Sequence, residues 1–151
     1  MVENIKYEGK IIARIIGAEE MDGPFKFFTD NGDNIQISRW NHPAGYQCKP
    51  HMHNIINKVI KRTHEAIFVL NGEIKVTFFS FDGKLITSRN LVAPCICYSM
   101  DCGHGYEICS ENTRAIEFKN GPFLGDENYD KERTLLEDLL DPNNFYANEQ
   151  V

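Results

Sequence analysis

Long apolar runs are missing from this chain. None approaches the roughly twenty residues that cross a bilayer, and Glu3, Lys6, Glu8, Lys10 and Arg14 interrupt the start, where a secretory leader would need an uncharged core. Basic stripes are also missing. The 22 acidic and 16 basic residues give a formal charge of −6, which argues against a nucleic-acid backbone or a membrane as partner. The five cysteines, Cys48, Cys95, Cys97, Cys102 and Cys109, cannot all pair within one chain. Cys95-Ile96-Cys97 lacks the two-residue interval of a zinc knuckle, and no second close pair supplies the remaining ligands. Reduced thiols in a soluble, cytoplasmic protein are the expectation. No long linker divides the 151 residues, a length at which a domain buries roughly two thirds of its unfolded surface.

What is present is a succession of short strand signals. Lys10 to Ile16 is apolar, and Phe25 to Phe28 and Ile35 to Trp40 flank the turn-forming Asp30-Asn31-Gly32-Asp33-Asn34. Gly72 to Phe81 alternates most plainly: Ile74, Val76 and Phe78 share one face, and Glu73, Lys75 and Thr77 the other. Asp82-Gly83 has hairpin chemistry and predicts Leu85 to Leu91 as the return strand. Cys95 to Met100, Tyr106 to Cys109 and Thr113 to Lys119 add three more extended segments. This density of strands predicts an all-β antiparallel barrel or double-sheet sandwich. Near the C-terminus the pattern changes. Leu135, Leu136, Leu139 and Leu140 fall at helical spacing between Asp130 and Asp141-Pro142, which predicts a short C-terminal helix covering a sheet edge or a partner.

Three histidines and one glutamate stand out from this background. In an extended strand His51 and His53 face the same way, and Glu65 shares its face with Ile67 and Val69. His104 lies between Gly103 and Gly105, and Tyr106 continues its parity. Converging in the interior, His51, His53, Glu65 and His104 would form a centre for one divalent first-row transition metal: Fe, Mn, Ni, Co or Zn. An uncompensated carboxylate among apolar side chains would be costly. Tyr106, Tyr98 and Arg39 are candidate pocket-lining residues. His64 has the opposite parity to Glu65 and is expected to face away, while His42 belongs to a surface turn.

The arrangement resembles the cupin superfamily. Gly45, five residues, His51-Met52-His53, then Glu65, six residues and Gly72 follow the first cupin motif, with a longer interval from Asn54 to His64 that contains no acid. Of the second motif, only His104 matches. Thr63 to Val76, Gly103 to Glu107 and Glu117 to Phe123 are similar to a group of small bacterial cupins. The resemblance implies a cupin-type β-barrel, or jelly roll, with residues 35–125 as its core. Residues 1–34 would be N-terminal strands joining the barrel or a dimer interface, and 126–151 a helical tail. It also implies a homodimer and a small-molecule ligand or substrate. The expected function is a metal-dependent oxygenase or isomerase acting on a small polar organic molecule, within carbohydrate metabolism. The alternatives are a ligand-binding or regulatory cupin with a structural metal, and a metal-free sugar isomerase or epimerase.

Overall fold

Among the described residues, alternation along the chain produces ten strands in three sheets. The structure is a computed structural model that describes residues 2–122 and Leu136. The strands are β1 (Val2–Tyr7), β2 (Lys10–Ile16), β3 (Lys26–Phe27), β4 (Ser38–Arg39), β5 (Glu65–Asn71), β6 (Glu73–Phe79), β7 (Leu85–Val92), β8 (Cys95–Ser99), β9 (Gly103–Ile108) and β10 (Arg114–Lys119). One sheet has five strands in the order β1-β2-β8-β5-β10, a second has three in the order β7-β6-β9, and β3 pairs with β4 as a two-stranded ribbon. Every pairing is antiparallel.

The two larger sheets share one core. Ile15, Ile67, Val69 and Cys97 from the five-stranded sheet meet Ile74, Val76, Phe78 and Leu91 from the three-stranded sheet in a single buried cluster. Period-2 alternation places these residues inward on each strand, and their burial supplies the main driving force for sheet packing. The opposite face of the five-stranded sheet carries Ala66, Tyr98 and Met100, with Ile35 and Ile37 packed over them. Arg14 ties this cover down: its guanidinium pairs with Asp30 and approaches Asp33 at 3.6 Å.

The all-β expectation holds, but the closed cupin barrel does not form. Among the described residues no strand pairing joins the five-stranded sheet to the three-stranded one, so all three sheets are open. The physical reason lies in residues 40–64, which contain no helix or strand. The sequence reading assigned His51 and His53 to a strand there, but the apolar residues Met52, Ile55, Ile56 and Val59 recur at three- and four-residue intervals rather than every second position. The strands expected at 25–28 and 35–40 shrink to two residues each, β3 and β4. The short C-terminal helix expected over 131–140 lies, Leu136 apart, outside the described residues. No helix of the described residues is long and apolar enough to cross a membrane.

Gly72 joins β5 to β6 with φ at +82°, a conformation that side-chain-bearing residues rarely adopt. A Cβ there would also collide with Thr113 Oγ1 and would come within 2.7 Å of Ser110 Oγ and 2.9 Å of Thr113 Cα. Gly72→Ala is expected to destabilise the protein by about 2 kcal/mol or more, measured by urea unfolding. Unchanged stability would contradict this role for the turn.

Candidate functional site

Glu65 opens β5 on the inward face, two residues before Ile67 and four before Val69, and is only 6% exposed. The antiparallel register sets Lys119 of β10 directly opposite it and Ser99 of β8 on its other side. His104 comes from β9 in the other large sheet, where it pairs with the buried Phe78. The sequence expectation that Glu65 and His104 approach each other from distant segments is therefore what the geometry shows. Glu65 Oε1 lies 3.1 Å from His104 Nε2, and Lys119 Nζ lies 3.0 Å from Glu65 Oε2. Lys119 Nζ also reaches Glu117 Oε2 at 2.9 Å.

Tyr106 completes the group. Its ring centroid is 5.3 Å from that of His104, and its hydroxyl faces Ser99 and Glu65. Glu65 Oε1 is met by the His104 imidazole and the Tyr106 hydroxyl by Ser99 and Glu65, whereas His104 Nδ1 is buried and has no hydrogen-bond partner among the described residues. Buried polar atoms in folded proteins are nearly always satisfied, so an unpartnered imidazole nitrogen beside a buried carboxylate marks this as a candidate site.

Charge follows from these neighbours. Burial alone would raise the Glu65 pKa, but His104 and then Lys119 outweigh it and hold the carboxyl at about 2, well below its ordinary 4.5. Burial opposes the charge on Lys119 as well, yet Glu117 and Glu65 push its pKa up. Burial drives the Tyr106 phenol far above its usual range, with the nearby Cys97 and Glu65 adding to the effect. At neutral pH a buried carboxylate, a partly exposed ammonium and a neutral phenol thus surround one imidazole.

The other predicted site residues lie elsewhere. His51 and His53 are exposed within residues 40–64, and the His51 ring is tied only to the carbonyl of Lys49 at 2.9 Å. Tyr98 is fully buried on the opposite face of the five-stranded sheet. There its hydroxyl meets His64 Nδ1 at 2.7 Å and accepts from the Ile35 amide at 3.3 Å. His64 thus faces away from Glu65, as its parity predicts. Arg39 donates to the carbonyls of Pro24 and Glu20, at 2.7 Å each, and to that of Asp22, bracing a surface loop.

The metal centre is therefore a correction. Among the described residues no group of three or more His, Cys, Asp or Glu side chains is arranged to hold a metal ion. Two of the four proposed ligands are exposed, and the Glu65 carboxylate is engaged by its own lysine and histidine. The donor set does not fit the first-row metal that the cupin resemblance implied, and the metal-binding cupin function falls with it. Lys119 was missed by the sequence reading. Its signal was parity, since Ala115, Glu117 and Lys119 share the inward face of the last strand.

A surface cavity of about 650 Å³ is lined by residues that include Arg62, Phe81, Met100 and Asn120, and by none of Glu65, His104, Tyr106 and Lys119. Thr63, Asn120 and Cys102 in its wall stand one or two residues from Glu65, Lys119 and His104, and Lys58, Lys61 and Arg62 line its outer side. Arg62 is held in place over the Phe81 ring, 3.8 Å from its centroid. In comparisons with family models, curated proteins and solved structures, no match to this chain was found.

Removing Lys119 would leave a buried carboxylate facing His104 alone. Lys119→Met is expected to cost about 2 kcal/mol, below the figure for a fully buried pair because the lysine is partly exposed. Adding Glu65→Gln to that variant is expected to recover most of the loss in urea unfolding at neutral pH. Equal losses in the single and double variants would show that the carboxylate is not the group Lys119 compensates.

Proposed function

We propose that this protein is a cytoplasmic protein that binds a small polar molecule bearing a carboxylate or phosphate, and that His104, oriented by Glu65, moves a proton on it. The observation that carries the reading is the meeting of Glu65, His104 and Tyr106, with His104 Nδ1 buried and without a hydrogen-bond partner among the described residues. Each has a distinct part. Glu65 stays ionised and faces Nε2 of the imidazole, which fixes the ring. Nδ1 then takes and returns the proton. The neutral phenol of Tyr106 donates to the oxygen on which negative charge develops, and the cost of such a donor is low because it is already in place.

The cavity, which these three side chains do not line, has the size and charge to receive such a molecule, and contact with His104 requires the chain between them to move. Its volume of about 650 Å³ falls within the usual range for small-molecule sites. Lys58, Lys61 and Arg62 attract an anionic group, with Asp101 facing Arg62 at 3.7 Å. The five free cysteines, three of them buried, fit a reducing compartment. Burial pushes the Cys95 thiol up to about 11 and the Cys102 thiol up to about 12, so neither serves as the nucleophile here.

The test is a thermal-shift screen of small hydroxy acids, keto acids and sugar phosphates, followed by proton exchange of each stabilising compound in D2O by NMR. At least one compound is expected to raise Tm and to exchange a carbon-bound proton. Tyr106→Phe and His104→Gln are each expected to slow that exchange about a hundredfold or more. A screen with no stabilising compound, or exchange that survives both substitutions, would overturn the reading.

A further inference from the structure

Tyr98 has no solvent exposure, so each hydrogen-bonding position on its hydroxyl has to be filled from within the protein. The Ile35 amide donates to the oxygen at 3.3 Å, and the Asn34 backbone acts on it in the same sense. Neither can take the hydroxyl hydrogen. Among the described residues the acceptor at this oxygen is His64 Nδ1, 2.7 Å away. The proton count therefore makes Tyr98 the donor and His64 a neutral imidazole with its hydrogen on Nε2.

This hydrogen bond holds a cover in place. Ile35 and Ile37 pack over Ala66, Tyr98 and Met100 on the outer face of the five-stranded sheet. Their segment is folded on itself by the Phe28 amide donating to the Ile37 carbonyl at 2.9 Å and the Ile37 amide donating to Thr29 Oγ1 at 3.0 Å, and Arg14 grips it through Asp30. The chain from Ile35 through Tyr98 to His64 ties it to the residues ahead of β5, where the His64 amide donates to Asn120 Oδ1 at 2.6 Å and the Asn120 amide to the His64 carbonyl at 3.3 Å. Register sets these groups back to back with the buried acid. His64, Tyr98 and Asn120 each stand one residue from Glu65, Ser99 and Lys119, and Thr63, Met100 and Asn120 line the cavity.

Two carboxylates act on the imidazole. Burial lowers the His64 pKa from its ordinary 6.5 and outweighs Asp101, from the turn after β8, and Asp33, from the covering segment, which both favour a proton there. Asp101 is shared with Arg62 at 3.7 Å and Asp33 with Arg14 at 3.6 Å, and Arg14 also acts on the Tyr98 hydroxyl. A charged imidazole carries hydrogens on both ring nitrogens. Nδ1 then stops accepting, and the Tyr98 hydrogen is stranded in the interior.

We propose that His64 and Tyr98 form a proton-operated latch, closed while the imidazole is neutral and released when it takes a proton, which frees the cover formed by residues 29–37 from the sheet. The closed form binds the proton less tightly than the open one, so closure is complete above pH 6.5 and is lost as pH falls through the lower value of the closed form. The latch works independently of the chemistry at His104. Its release reaches that side of the sheet through the cavity wall at Met100 and Asn120.

The test is an NMR titration of the histidine ring carbons in the full chain, assigned through His64→Gln, with hydrogen exchange at the Ile37 amide followed across the same pH range. His64 is expected to titrate below 6.5. Exchange at Ile37, corrected for its intrinsic pH dependence, is expected to quicken about tenfold or more through the same midpoint. Tyr98→Phe removes the stranded hydrogen, so the His64 midpoint is expected to rise and the step in exchange to vanish. His64→Gln offers an amide oxygen that takes no proton, and is expected to abolish the step while leaving Ile37 protected at low pH. A His64 midpoint at or above 6.5, an Ile37 amide indifferent to it, or a step that persists in His64→Gln would overturn the proposal.

Discussion

A carboxylate cannot be left alone between two apolar sheets. Glu65 sits at the inner end of β5 where Ile67 and Val69 begin the core, and its ionised form persists because His104 and Lys119 reach it from two other strands. Lys119 belongs to the same sheet and His104 to the facing sheet. The contact thus links two sheets that no backbone pairing joins among the described residues. Isolated burial of such a charge would cost several kcal/mol, so the surrounding geometry has to hold both partners in reach.

Much of the fold serves that requirement. The β5–β10 register sets Lys119 opposite Glu65, and the tight turn at Gly72 fixes where β6 starts. Strand β6 in turn positions His104 through its pairing of Phe78 with His104, and Phe78 is anchored in the core with no exposure. On the reverse face Arg14, with Asp30 and Asp33, holds the segment that covers Tyr98. The two faces of the five-stranded sheet therefore have different duties: one confines the polar group, and the other carries that cover.

Local pattern made the strands readable and long-range pairing kept part of the site hidden. The alternation of Ile74, Val76 and Phe78, the Asp82-Gly83 turn, and the opposite parities of His64 and Glu65 all follow from a period of two, and each appears in the structure. Lys119 was not legible as a partner because its meeting with Glu65 depends on which strands pair across some fifty residues. His51 and His53 misled for the converse reason. A His-x-His pair has inward parity only on a strand, and the apolar residues that follow it repeat at helical intervals and give no strand to carry it. Without that strand the expected barrel lacks a stave, and the metal site loses two ligands.

The chemistry inferred for the interior rests on a paired, permanently ionised Glu65. The most direct measurement is an NMR titration of its side-chain carboxyl carbon in glutamate-labelled protein, assigned through Glu65→Gln. The expected midpoint is about 2, against an ordinary value of 4.5. A midpoint at or above 4.5 would show that His104 and Lys119 do not hold the carboxylate, and would contradict the central claim.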